Sequence, residues 1–461
     1  MQQRFIILHT NDIHGRVEGL ARVATMVERI RGEHLDIPVL YFDIGDIEEP
    51  SFRLSNLTKG VAMHRLLSLS RCDAEVVGNG GIERYGYQIL LDYASAASYP
   101  LLLANMFTPG GQLVAGVQAA ATFQVGTCTL GAIGVTSQMG GMYALFGVST
   151  PSVLPIIREH AAQLRQQGAN VVILLSHLGL EADRELAADL QDDIPLIIGA
   201  HSHNLLPEGE QIGSMFIAQA GEYAQHLGQL ELLWDGAQLH IQRAAMLPVT
   251  DDIPSAPLVM QEVAHLEGET EQYLESIIGE LAAPLDYASD RECGAVDLMA
   301  DMLRERMHAE VAIITAGVAF TGPLPAGLLR RIALWDVCSS SANPGIVTLT
   351  GAQLQAMIQK GLDPLFAQER PRAMRGLPRG LLHLSGARLQ DGHLFINDQL
   401  VDPAREYRVA GSDFEFEEYG ALTDSAWNLH PHYDMPTILR EALEEYLAEH
   451  KRVRVEMGRL G

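Results

Sequence analysis

The chain is poor in cysteine and in basic residues, and it lacks long apolar runs. Its four cysteines, Cys72, Cys128, Cys293 and Cys338, stand far apart among 461 residues and form no C-x-x-C pair. That spacing argues against a zinc finger, a redox motif and a disulfide framework, and it predicts buried free thiols in a reducing cytoplasm. No apolar run reaches the roughly 18 residues that span a bilayer, so no membrane partner is expected. The opening MQQRFIILHTND enters a strand-like run at once, without the basic, apolar and cleavage segments of a secretory leader. A cytoplasmic location is the expectation. Lys and Arg total 32 against 58 Asp and Glu, a net charge of −26. Such a field repels phosphate backbones and excludes a general nucleic-acid binder. It remains compatible with an anionic small substrate, because bound divalent cations invert the local field. Internal repeats and low-complexity segments are absent as well.

At 461 residues the chain is long for one core, and two domains are expected. Residues 4–9 (RFIILH), 39–44 (VLYFDI), 74–78 (AEVVG), 170–176 (NVVILLS) and 195–199 (PLIIG) are short Val/Ile-rich runs that read as strands. Between them, 19–31 places Leu20, Val23, Ala24, Val27 and Ile30 on one helical face, and 152–168 and 181–191 read similarly. Strands alternating with helices predict an α/β layered domain. The runs MFIAQA (215–220) and LGQLELLW (227–234) are expected to finish it as antiparallel strands. LPVTDDIPSAP at 247–257 marks a boundary, and a polar, solvent-exposed linker helix is expected over about 258–281. The division expected is therefore 1–250, a linker at 251–285, and a second α/β domain at 286–461. In the second domain, 294–308 reads as a helix and 311–315 as a strand. A helix is expected to start at the N-cap Thr350, and a last helix near 436–448.

Seven residues at the ends of these runs carry metal-binding chemistry: Asp12, His14, Asp46, Asn79, His177, His201 and His203. Divalent ions take carboxylate oxygen, amide oxygen and neutral imidazole. Asp12 and His14 lie two apart just past a strand, Asp46 ends VLYFDIGD, and Asn79 follows VVG. His177 ends VVILLSH, and His201-x-His203 follows LIIGA. Ligands at the carboxyl ends of several strands converge on one edge of a sheet, where open α/β folds place their sites. A lone D-x-H or H-x-H is weak evidence; five small motifs in one order, each after an apolar run, are not. Two ions about 3.5–4 Å apart would activate a bridging water and clamp a phosphoryl group.

The blocks LHTNDIHG, FDIGD, VVGN, LLSHLG, IIGAHSH and IAQAG together resemble the calcineurin-like metallophosphoesterases, specifically the 5′-nucleotidase branch. The likeness covers most of residues 4–234. It implies a four-layer α/β/β/α sandwich followed by a C-terminal 5′-nucleotidase-type α/β domain. It further implies that Asp12, His14, Asp46 and His203 hold one ion and that Asp46, Asn79, His177 and His201 hold the other, with Asp46 bridging. RECGAVDLMADML, VAIITAG, VTLTGAQLQAMI, LLHLSGARL and DPAREYRVAGSDF resemble the second domain more loosely. In that family this domain supplies the nucleoside pocket, with aromatic rings on the base and arginines on the substrate.

The chain departs from the family where the motif reads G-N-H-E-x-D. Here it is Gly78-Asn79-Gly80-Gly81-Ile82-Glu83. The ligand Asn79 stays, Gly80 stands in place of a histidine that helps stabilise the transferring group, and Glu83 stands where the orienting acid would be. Losing one acid/base group commonly removes roughly 10²–10⁴ in rate. The segment resembles a branch of bacterial cytoplasmic relatives that also lack this histidine. Where relatives read N-G-G-x-x-R, this chain reads Thr315 to Phe320, so phenylalanine replaces the arginine. The Gly-rich aromatic loop has become FEFEEYG (414–420). Phe416 and Tyr419 can stack on a base there, with core packing or a surface loop as the alternative. Arg370, Arg372, Arg375 and Arg379 in RPRAMRGLPR suit phosphate bidentately, with a solvated loop as the alternative. Arg375 and Arg379, with Phe416 and Tyr419, are the substrate-binding candidates; Asn79 and Glu83 are the catalytic ones.

These observations point to a dimetal hydrolase of a nucleotide or related phosphomonoester, with a metal-bridged hydroxide as nucleophile. Mn²⁺ is expected first, and Zn²⁺, Fe²⁺, Co²⁺ or Mg²⁺ also suit mixed N/O ligation. A metal- and nucleotide-binding protein without turnover is the rival reading, motivated by Gly80. A hydrolase of sulfur-containing substrates on the same scaffold is a third.

Overall fold

The computed structural model describes residues 2–461 except Asp192, Arg372, Ala373 and Arg375. The chain divides into two compact units, Met1–Thr270 and Glu271–Gly461. Among its described residues the first unit holds twelve strands: β1 Gln3–Thr10, β2 Val39–Asp43, β3 Ala74–Val76, β4 Leu101–Leu102, β5 Ala120–Val125, β6 Cys128–Thr136, β7 Val171–His177, β8 Leu196–Gly199, β9 Glu210–Ile212, β10 Met215–Ala218, β11 His226–Trp234 and β12 Leu239–Pro248. They form two six-stranded sheets, ordered β12-β11-β1-β2-β3-β4 and β5-β6-β7-β8-β10-β9.

The layering follows from the period-two exit of side chains along each strand. In β1, Phe5 and Ile7 face the other sheet, while Ile6 and Leu8 face helices. In β7, Val171, Ile173 and Leu175 join the core between the sheets, and Val172 and Leu174 pack under helices on the far side. Both faces are buried, so the strands read as continuous apolar runs rather than alternating ones. Helices Val17–Glu33 and Val61–Leu69 cover the first sheet, and Val153–Gln166 and Leu180–Leu190 cover the second. The result is the α/β/β/α sandwich that the motif likeness implies. Each fully buried Leu, Ile or Val side chain contributes roughly 1.5–3 kcal/mol to this arrangement.

Two expectations need correction. β10 lies parallel to β8 in the second sheet, with Phe216 opposite Leu196 and Ala218 opposite Ile198. It is therefore not an antiparallel finishing strand; the antiparallel strands are β11, beside β1, and β12 beyond it. The residues expected to form a polar linker helix also differ. A helix spans Pro257–Leu274, and Val259, Val263 and Leu266 enter the core of the first unit. Residues Ile277–Leu281 are instead a strand, paired with Gly327–Arg330 and Arg452–Val453.

The second unit is built on a five-stranded sheet. Its central strands are Val311–Thr315 and Glu406–Ser412, parallel to each other, with Leu382–Ser385 and Pro344–Thr350 antiparallel outside them. Ala312 and Ile314 face the helices Gly294–Arg306 and Leu439–His450, and Val311 and Ile313 face the helix Gly351–Gly361. Thr350 caps that last helix as expected. Its hydroxyl accepts from the Gln353 N–H at 3.3 Å, and Gln353 Oε1 accepts from the Thr350 N–H at 2.8 Å, a reciprocal capping box.

Candidate metal centre

The carboxyl ends of β1, β2, β3, β7 and β8 meet along one edge of the first unit, and the seven residues named from the sequence follow these ends. Five of them leave the strands through left-handed backbone: Asp12 (φ 51°), His14 (46°), Asp46 (55°), His201 (73°) and His203 (57°). Such a conformation costs roughly 1–2 kcal/mol for a non-glycine residue and persists where the surroundings impose it. Here the turns hydrogen-bond to one another. The Asp12 N–H donates to the Gly45 carbonyl and the His14 N–H to the Asp46 carbonyl, each at 2.9 Å. Glycine is required where the turns cross. A Cβ on Gly45 would lie 2.7 Å from the Gly78 nitrogen, and one on Gly78 would lie 2.1 Å from Asp46 Oδ1.

The side chains form two adjoining clusters. In one, Asp12 Oδ1 lies 3.3 Å from His203 Nε2, which is 3.2 Å from His14 Nε2. In the other, His177 Nε2 lies 3.3 Å from Asp46 Oδ2 and 3.2 Å from Asn79 Oδ1, and the His201 ring is 5.2 Å from the His177 ring. Asp12, His14 and His203 have donor atoms close enough to share one ion, and so do Asp46, His177 and His201.

Hydrogen bonding makes these clusters fit cations. The His177 Nδ1–H donates to the Ile44 carbonyl at 2.6 Å, which leaves Nε2 as the lone-pair nitrogen. Asn79 donates from Nδ2 to Glu83 Oε1 at 3.0 Å, so its Oδ1 faces His177. Lone pairs of an imidazole, a carboxylate and an amide thus converge, and only a cation or a proton stabilises that arrangement. His203 repeats the pattern, with Nδ1 held 2.6 Å from Glu222 Oε2. The electrostatics agree. Burial alone would raise the Asp46 carboxyl, yet His177, His14 and the Gly80 N–H hold it well below the usual carboxylate range. Burial pulls His177 down, but the Asp46 and Asp12 carboxylates carry it up to about 9, so a proton on Nε2 competes with a cation for this place. Burial, reinforced by the Asp46 charge, pushes Glu83 up to about 7.

Some residues that shape the site carried no sequence motif. Glu222 orients His203, and Glu49 Oε2 lies 3.8 Å from His14 Nδ1. Beneath the site, buried His64 donates from Nε2 to Glu48 Oε1 and from Nδ1 to Glu75 Oε2, each at 2.9 Å. Both ring nitrogens are engaged, so this is an ion-pair triad, although the three could offer donor atoms to an ion. Its one signal is a polar residue inside each of two apolar runs, VAMHRLL and AEVV. Burial would lower His64, but Glu75 and Glu48 carry it up to about 10. Its folded pKa is raised, so the stability it contributes is complete below about 6.5 and is lost as pH rises through about 10. His64→Leu is expected to lower the free energy of unfolding by about 3–5 kcal/mol, because two buried carboxylates lose their partner. Urea melts check this, with the wild-type advantage shrinking as pH rises through that window.

The substrate-binding candidates stand differently in the second unit. Phe416 is 3% exposed and packs in the core against Gly345 and Gly411, which removes it as a stacking surface. Tyr419 is 46% exposed, with its hydroxyl donating to Asp413 Oδ2 at 2.9 Å and its ring edge-on to Phe414. Arg379 is buried. It donates to the Gly420 carbonyl at 2.5 Å, pairs with Glu369 at 3.1 Å and lies over the Phe366 ring, so its guanidinium ties the aromatic loop rather than facing an open surface. Arg375 lies outside the described residues, as does Arg372. Phe320, at the position of the family arginine, is a core residue at 1% exposure.

Residues 277–423 match the family model for the 5′-nucleotidase C-terminal domain. An uncharacterized metallophosphoesterase of Bacillus subtilis, YunD, is 26% identical over 97% of this chain and 100% of its own length. The chain is thus similar, over nearly its whole length, to the 5′-nucleotidase family of calcineurin-like metallophosphoesterases, and these relatives indicate a hydrolase. An apyrase of Anopheles gambiae is 24% identical over 76% of this chain and 70% of its own. Among solved structures, a putative 5′-nucleotidase of Staphylococcus aureus, in complex with alpha-ketoglutarate, covers 99% of both chains with a TM-score of 0.64 at 17% identity, a likeness of fold. The family is dimetal-dependent, and each of the two donor clusters at the strand ends could hold an ion.

Proposed function

We propose that the chain hydrolyses a phosphoester of a nucleotide or similar phosphorylated small molecule, with two divalent cations held by Asp12, His14, Asp46, Asn79, His177, His201 and His203. The observation that carries this reading is the convergence of imidazole, carboxylate and amide lone pairs in two adjoining clusters. Mn²⁺ is our first choice, because mixed N/O donors suit it. When bound, the cations supply an activated water and neutralise phosphoryl charge. The chain's own part is positioning. Asp46 supplies the carboxylate of the cluster with His177 and His201; Asn79 is turned by Glu83 so that its oxygen faces His177; and Ile44 and Glu222 orient the rings of His177 and His203. Glu83, reached through Asn79, is the acid/base candidate beside the place where Gly80 carries no side chain. Four free and buried cysteines support our assignment of the protein to a reducing cytoplasm.

The test is turnover of a panel of nucleoside mono- and diphosphates, sugar nucleotides and simple phosphomonoesters by Mn²⁺-loaded protein, with chelator-treated protein as control. Metal-dependent release of phosphate from at least one nucleotide is expected. Tight nucleotide binding with no turnover above the control would overturn the hydrolytic reading.

A further inference from the structure

Arg16 closes the turn that carries Asp12 and His14 and immediately precedes the helix Val17–Glu33. Its guanidinium lies between two aromatic rings, 4.3 Å from the centroid of Phe52 and 4.5 Å from that of Tyr223. The Tyr223 ring in turn stands edge-on to His14 at 5.9 Å and to His203 at 6.2 Å. One ring therefore connects the arginine to two candidate ligands. Among the described residues Arg16 has no ion-pair partner, whereas neighbouring Arg22 pairs with Asp251 at 2.8 Å. Arg16, Phe52 and Tyr223 line a cavity of about 420 Å³, together with Gly15 and the charged Glu18 and Arg22.

Stacking occupies the two faces of a guanidinium and leaves the five N–H donors on its edge for an acceptor. A half-buried arginine without a carboxylate, clamped in one plane beside a cavity, is arranged for an anion that arrives from solution. The strong negative charge of the chain sharpens the point, since such an arginine would otherwise attract one of the abundant carboxylates. Two of the positions that the sequence marked for substrate do not offer a free guanidinium. Arg379 is tied to Gly420 and Glu369, and Phe320 fills the position of the family arginine.

We propose that Arg16 is a substrate-binding residue whose guanidinium takes a second phosphate, next to the phosphoryl group at the candidate metal centre. This rests on the hydrolase reading above and deepens it: the preferred substrate carries two adjacent phosphates. The test uses full-length, Mn²⁺-loaded protein with ADP and AMP as probes, by calorimetry and by steady-state kinetics. Arg16→Gln is expected to weaken ADP binding and raise its KM about 10- to 100-fold, the loss of a charge-assisted hydrogen bond. The kcat for ADP and the binding of AMP stay close to wild type. Arg16→Lys recovers part of the loss, because an ammonium keeps the charge without the planar fork. Equal losses for the two nucleotides, no loss for ADP, or a wild-type protein that does not prefer ADP would each overturn the assignment. Should Arg16→Gln fail to fold, Arg16→Lys decides: weakened preference for ADP supports the proposal, and unchanged preference overturns it. Calorimetry separates the two claims. A protein that binds ADP through Arg16 yet hydrolyses nothing contradicts the hydrolytic reading alone.

Discussion

Asp46→Ala is expected to lower turnover by about 10³-fold or more, the largest effect of any single change in the chain. Asp46 belongs to the donor cluster of His177 and His201, and the family resemblance makes it the bridging ligand. Its Oδ2 lies 3.3 Å from His177 Nε2, and its Oδ1 accepts the Gly80 N–H at 2.8 Å. Removing the carboxylate takes an anionic donor from the centre and frees the turn that carries Asn79. Metal content should fall along with activity, and extra Mn²⁺ should restore little of either. The first unit should still fold, because the Asp46 side chain is not part of its apolar cores. Steady-state kinetics and metal analysis on the same preparation check this. A variant that keeps a tenth of wild-type turnover with full metal content would place the chemistry elsewhere.

Gly80→His has the opposite sign. The chain lacks the family histidine at this position, and the backbone there admits a Cβ with a small shift of Asp46. Gly80 opens the helix Gly80–Tyr85 with ordinary backbone angles, and a Cβ built on it meets Asp46 Oδ1 at 3.3 Å, a contact that a small shift relieves. The next residue is closed, since a Cβ on Gly81 would lie 2.7 Å from the Tyr93 hydroxyl. A histidine at position 80 therefore stands beside the candidate centre without displacing Asn79. Phosphomonoester turnover is expected to rise roughly 10²-fold, the lower end of what one acid/base group supplies. Unchanged or lower activity with metal content intact would mean that Gly80 has a role of its own, such as letting substrate approach closely.

Much of the first unit is legible in the sequence. Its strands are short apolar runs, and the chemistry follows each run within five residues, so period and position agree. Strand direction is not encoded that way. MFIA looks the same parallel or antiparallel, and its place beside β8 depends on the sheet it joins. The helix at Pro257–Leu274 carries Val259, Val263 and Leu266 at helical spacing, but its many acidic residues mask that apolar stripe. Phe416 shows a different limit. An aromatic residue in a Gly- and Glu-rich segment reads alike whether it stacks on a ligand or fills a core, and only the glycines at 345 and 411 that make room for its ring decide. Glu48, His64 and Glu75 form no motif because a loop, the helix Val61–Leu69 and the strand β3 bring them together. Arg16 directly follows the block LHTNDIHG, yet its significance lies in Phe52 and Tyr223, which are distant in the chain.

The central claim is that this edge of the first unit holds two ions. Anomalous scattering from crystals of Mn²⁺-loaded protein tests it directly. Two peaks about 3.5–4 Å apart are predicted. One should lie against Asp12, His14 and His203, the other against Asn79, His177 and His201, with Asp46 touching both. No peak there, or one only at Glu48, His64 and Glu75, would contradict the account.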